Sequence, residues 1–193
     1  MIANADIDRL IEDVIEREGD YVDHPADPDE PTLWGITQTV ARRQGYMDDM
    51  RRLQQSDVAA IYKRLYWFVP AFDKIAETAL KLTAELFDTC INMGTGTASG
   101  FLQRPLNALN RNGRDYGDIE VDRHIGPATL LALNALLRKR GKGGKDLPFK
   151  AVETLQDAYY VQPAETRPSQ EAFFEWMDCQ PYWLFFSALQ AST

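Results

Sequence analysis

Ile7, Leu10, Ile11, Val14 and Ile15 recur at the spacing that gathers side chains on one face of a helix, with Asn4 or Asp6 available as caps. Continuing the series 7, 11, 14 by one step reaches Glu18, and Gly19 behind it suits the left-handed conformation that closes a helix. From Asp20 to Pro31 the chain carries three prolines and five acidic residues with almost no apolar content, which predicts a loop or irregular hairpin. Thr32-Leu33-Trp34-Gly35-Ile36 then reads as a short extended piece.

The remaining pattern is helical. Thr37 can cap a helix running to Gly45, and Ser56 another running to about Phe68, stopped by Pro70. Leu80, Leu82, Leu86, Phe87, Cys90 and Ile91 predict a long helix over 75–93 that stops at Gly94. Thr97 starts the next, where Pro105 marks a kink or an early turn. Residues 110–123 form a polar, glycine-bearing connection, after which Gly126-Pro127 opens a helix to Arg140. The stretch 141–145 is the best flexible linker, followed by helices over 147–160, 170–177 and 182–189. The fold class this predicts is mainly α, without internal repeats.

Composition narrows the function. With 193 residues, 45% of them hydrophobic, the chain can build one sizeable core or a lobe with a smaller appendage. No apolar run is long enough to span a membrane, and the N-terminus does not resemble a secretory signal. The net charge of −8 argues against nucleic acid as a partner, and it denies the protein long-range attraction to an anionic polymer. Cys90 and Cys179 sit in apolar helical patterns and read as buried free thiols. His24 and His124 belong to no zinc-binding spacing, so neither a metal nor another cofactor is expected.

Glu18 is the first candidate for chemistry. The apolar stripe points it inward, and both burial and the negative end of a helix would favour the protonated acid. Such a group can protonate the leaving oxygen of a glycosidic bond. That reaction also uses a second carboxylate, for which Asp23, Asp27, Asp29 and Glu30 all lie in the next loop. Asp27 is the choice, because a loop returning towards residues 32–36 could set it opposite Glu18. Tyr21 and Trp34 flank the acidic loop as candidate sugar platforms, whereas Trp67, Trp176 and Trp183 read first as core residues.

The run Glu18-Gly19-Asp20-Tyr21-Val22-Asp23-His24-Pro25-Ala26-Asp27-Pro28, followed by Thr32-Leu33-Trp34-Gly35-Ile36-Thr37, resembles the signature of glycoside hydrolase family 108, the phage-type N-acetylmuramidases. Tyr62 and Tyr66-Trp67 match that family's aromatic helix positions. Phe87-Asp88, Asn92-Met93-Gly94, Leu102-Gln103 and Asp122 with Ile125-Gly126-Pro127-Ala128-Thr129-Leu130 resemble the predicted peptidoglycan-binding region usually paired with it. Phe173 to Trp176 echoes a late aromatic motif. Two departures stand out: Asp20 replaces the second glycine of the motif, and Asp29-Glu30 stand where a glycine pair is common.

The resemblance implies a lysozyme-like helical fold with a loop or hairpin at the active site. It implies a catalytic region over 1–85 and a helical, peptidoglycan-binding-like region over 86–193, packed as two domains or one. It makes Glu18 the catalytic acid and casts Thr32 or Thr37 in the threonine role of the wider phage lysozyme superfamily, beside Asp27 as second carboxylate and Tyr21 and Trp34 as the substrate contacts read from the residues themselves. The implied activity is hydrolysis of the β-1,4 bond between N-acetylmuramic acid and N-acetylglucosamine. Lytic transglycosylation and a non-catalytic wall-binding or virion role are the alternatives. The expected partner is bacterial peptidoglycan, reached from the cytoplasm by a monomer with no stable membrane insertion. A holin would release it in a phage setting, and an immunity protein would oppose it were it a secreted effector.

Overall fold

The computed structural model describes residues 4–19, 21, 31–144 and 146–166. Its chain order is α1 (Asn4–Glu18), the hairpin β1 (Thr32–Leu33) and β2 (Ile36–Thr37), then helices α2 (Gln38–Arg43), α3 (Gln55–Tyr62), α4 (Phe72–Ala76), α5 (Leu80–Met93), α6 (Thr95–Leu109), α7 (Pro127–Arg140) and α8 (Asp146–Thr166). The protein is therefore mainly α, as the periodicity predicts, and lysozyme-like in class. The expected helices over 170–177 and 182–189 lie outside the described residues, as does Cys179. No helix among the described residues is long and apolar enough to cross a membrane.

Contacts group the chain into two compact units, Met1–Asp73 and Lys74–Thr193. In the first, Leu10, Ile11, Val14 and Ile15 of α1 are almost completely buried, each worth about 1.5–3 kcal/mol when removed from water. Leu33 and Ile36 face inward from the hairpin, while Val58 and Ile61 do so from α3, which packs on α1. Trp67 is 1% exposed, a core residue as expected.

Several helices differ from the sequence reading. Ser56 is not a cap: α3 starts at Gln55 behind Gln54, which caps without a side-chain bond. The continuation of α3 over Lys63–Phe68 is π-helical, with the Val69 amide donating to the Arg64 carbonyl. The expected helix over 75–93 is broken, because the Thr78 and Ala79 amides and the Thr78 hydroxyl all turn back onto the Ile75 carbonyl and end α4 there.

The second unit packs α5, α6 and α8 against one another, with α7 on α6. Pro105 is buried inside a continuous α6, which begins at Thr95 rather than Thr97. One face of α6 carries Gln103 and Asn107, Asn110 caps its end, and these three organise the polar connection after it. Asn107 pairs with both backbone groups of Ile119, at 2.8 and 2.9 Å, and Asn110 donates to Asp118 at 2.5 Å. Gln103, 1% exposed, accepts from the Arg123 amide at 2.9 Å and donates towards Asp122 at 2.7 Å and the His124 carbonyl at 2.9 Å. The expected flexible linker is instead a 3-10 turn, Gly141–Gly144. Gly144 is buried where a Cβ would collide with Arg140, so glycine serves close packing there rather than freedom.

Cys90 of α5 is a fully buried free thiol, its proton pushed up to about 12 by burial. Since the thiolate is the reactive form, iodoacetamide at mildly alkaline pH should leave Cys90 unmodified in the folded protein and alkylate it after denaturation. Peptide mass spectrometry reads both states. Rapid native labelling of Cys90 would contradict its burial.

Candidate active site

Helix α1 ends at Glu18, and Gly19 follows with φ +78°, the left-handed closure its type predicts. Glu18 is not enclosed by the stripe that leads to it. Its side chain is exposed, although Val14 and Ile15 one turn earlier are buried at 1% and 0%. The angular series carries on past the point where neighbouring elements cover the helix, so the expected inward burial of Glu18 is corrected.

What Glu18 meets is the hairpin. Leu33 pairs with Ile36 and Thr32 with Thr37, leaving Trp34 and Gly35 as a two-residue turn. Their φ values of +48° and +71° are both positive, the signature of a type I′ turn. Glycine adopts that conformation without penalty, whereas tryptophan gives up about 1 kcal/mol. Strand alternation sends Leu33 and Ile36 to the core and Thr32 and Thr37 to the opposite face, where both are half-buried. Thr37 Oγ1 accepts from the Val40 amide at 3.3 Å, capping α2 as its position predicts.

Gly35 brings three elements together. A Cβ built on it would lie 2.5 Å from Tyr62 Oη, 2.9 Å from Glu18 Oε2 and 3.0 Å from Glu18 Cγ. The Glu18 carboxylate therefore rests on the hairpin tip beside the end of α3. Tyr62, only 3% exposed, donates its hydroxyl proton to the Trp34 carbonyl at 3.1 Å. Burial first and the Glu18 charge second hold the Tyr62 phenol proton well above the ordinary range.

Tyr21 lies with the Arg51 guanidinium 4.9 Å from its ring centre, a cation–π contact that holds the ring. Asp27 and the competing acids Asp23, Asp29 and Glu30 lie outside the described residues. Of the sequence candidates, Glu18, Trp34, Thr32 and Thr37 thus gather at the hairpin. Tyr62 and Gly35 join them, although the sequence alone gives neither a part in the site. Gly35 carried a local signal, a glycine after tryptophan between two threonines. Tyr62 touches a carbonyl 28 residues away, which no local pattern reveals.

Comparison with known proteins bears on this arrangement. Residues 11–94 match the family model described as Glycosyl hydrolase 108, and residues 97–178 match the one described as Predicted Peptidoglycan domain. No curated protein matches the chain. Among solved structures it is similar to the one titled "Structure of Brucella abortus SagA", with a TM-score of 0.53 and 22% identity over 89% of this chain and 97% of that one. At that identity the likeness establishes a shared fold.

Proposed function

Because residues 11–94 belong to the glycosyl hydrolase 108 family and a predicted peptidoglycan domain follows them, we propose that the protein hydrolyses the β-1,4 bond between N-acetylmuramic acid and N-acetylglucosamine, with Glu18 as proton donor. The observation that carries this reading is the seat of Glu18: an exposed carboxyl at a helix end, supported from behind by the Trp34-Gly35 turn. An acid that must reach an oxygen inside a polymer has to be accessible, and a rigid hairpin tip restricts its direction of approach.

In this mechanism the C1–O4 bond breaks as Glu18 gives its proton to the departing O4 of N-acetylglucosamine. Positive charge gathers at C1 of N-acetylmuramic acid, and Asp27 is the carboxylate proposed to stabilise it or to take a proton from the incoming water. Trp34 and Tyr21 are the proposed sugar platforms. Thr32 and Thr37, paired across the hairpin, are the proposed threonine contacts. The second half of the chain would hold the polymer by close contacts, a net charge of −8 giving no attraction at a distance. Lysis of cells would follow once the protein reaches the wall.

The test is mass spectrometry of purified sacculi digested with the protein. Soluble muropeptides with reducing muramic acid ends are expected. Anhydro-muramyl ends would replace hydrolysis by transglycosylation, in which the muramyl C6 hydroxyl attacks in place of water. Absence of soluble fragments would leave a wall-binding protein.

A further inference from the structure

The hairpin tip and the end of α3 form more than a backdrop. Tyr62 is the last residue of α3 before the π-helical turn, and its ring is fixed by burial and by Tyr66, tilted 39° with centres 5.3 Å apart. Its hydroxyl holds the carbonyl of Trp34, the turn residue that adopts positive φ without being glycine. A residue in that conformation persists when its surroundings determine it, and here the hydroxyl supplies a fixed point on a rigid ring. The same oxygen and Glu18 Oε2 both lie within 2.9 Å of the point that a Gly35 Cβ would occupy. The missing side chain of Gly35 thus leaves a space that the Glu18 carboxyl and the Tyr62 hydroxyl both border.

Since the phenol proton is engaged with Trp34, the Tyr62 oxygen turns lone-pair density to the remaining directions. It can accept from a protonated Glu18 and gives no donor to an ionised one. We propose that Tyr62 is the positioning residue for Glu18, pinning the Trp34-Gly35 turn through its hydroxyl and thereby fixing the direction in which the Glu18 carboxyl offers its proton. The proposal rests on Glu18 being the proton donor and adds to that reading the device that aims it.

Tyr62→Phe isolates the hydroxyl, because the ring that packs in the core is kept. On soluble peptidoglycan fragments it should lower kcat by about 10- to 100-fold and leave KM within about two-fold, as misaimed proton transfer costs turnover rather than binding. Its Tm should fall by no more than about 4 °C. Gly35→Ala places a methyl group in the shared space and should also lower kcat. The double variant should lose much less than the product of the two single losses, because both act on the same seat.

Unchanged kcat in Tyr62→Phe, or fully multiplicative losses in the double variant, would overturn the assignment. Glu18→Gln separates the two levels of the argument. Normal turnover there removes the acid and this inference together, whereas an inactive Glu18→Gln beside a fully active Tyr62→Phe removes only the positioning role.

Discussion

Glu18→Gln is expected to lower the rate of wall hydrolysis by about 10²- to 10⁴-fold while leaving the fold intact, the range that a general acid contributes. The amide keeps the length and shape of the side chain against Gly35 but carries no proton it can give to a leaving sugar oxygen. Stability should not suffer, because the side chain is exposed. Clearing of outer-membrane-stripped cells measures the first effect, and circular dichroism with a melting curve measures the second. Asp27→Asn should be impaired in the same assay. Near-normal clearing by Glu18→Gln at unchanged Tm would remove Glu18 from the reaction.

The same residue shows how far the sequence carries. That a helix ends at Glu18 is readable from a stripe of five apolar residues and a glycine, and both stand where expected. Whether the next position on the stripe is covered depends on where the facing elements stop, and nothing in residues 7–19 encodes that. Residues 32–36 are legible as an extended piece, but not the turn at Trp34-Gly35 or the burial of Leu33 and Ile36 that the structure shows. Nor is the hairpin's role as the support of Glu18, because the third partner, Tyr62, arrives from a different helix.

Elsewhere the limits have equally local causes. A period of 3.6 cannot distinguish an α-helix from the π-helical turn at Lys63–Phe68, and a glycine-rich string looks the same whether it serves freedom or close packing. Conversely, Gln103, Asn107 and Asn110 carry a helical spacing of four and three residues that marks a polar stripe on an apolar helix. Read as such, it points to the ordered connection that these side chains hold.

Glu85 governs the second large effect, a loss of stability as pH rises through neutrality. It lies on α5 at the seam with α8, and its proton is pushed up to about 8 by burial first, then by Asp88, Glu153 and Asp157, with Lys81 opposing. The seam is otherwise well bonded: Gln156 of α8 donates to Asp88 at 2.9 Å and accepts from the Thr89 hydroxyl at 3.1 Å. In the unfolded chain Glu85 titrates near the ordinary 4.5, so between that pH and about 8 the folded state binds the extra proton and stability must fall with rising pH. The full loss, reached above about pH 8, is on the order of 5 kcal/mol. On the acid side the sign reverses. Asp115, held below the usual carboxylate range by Arg111, and Asp122, held there by Gln103 and the His124 amide, contribute stability that is lost as they take protons. The melting temperature should therefore peak at about pH 4 to 5, between the two losses. Glu85→Gln should match the wild type at the peak, where Glu85 is neutral, and exceed it increasingly towards pH 8, its amide donating to the carboxylates around it. Melting curves at half-unit intervals decide the matter: an unchanged alkaline slope in Glu85→Gln would place the pH sensitivity elsewhere.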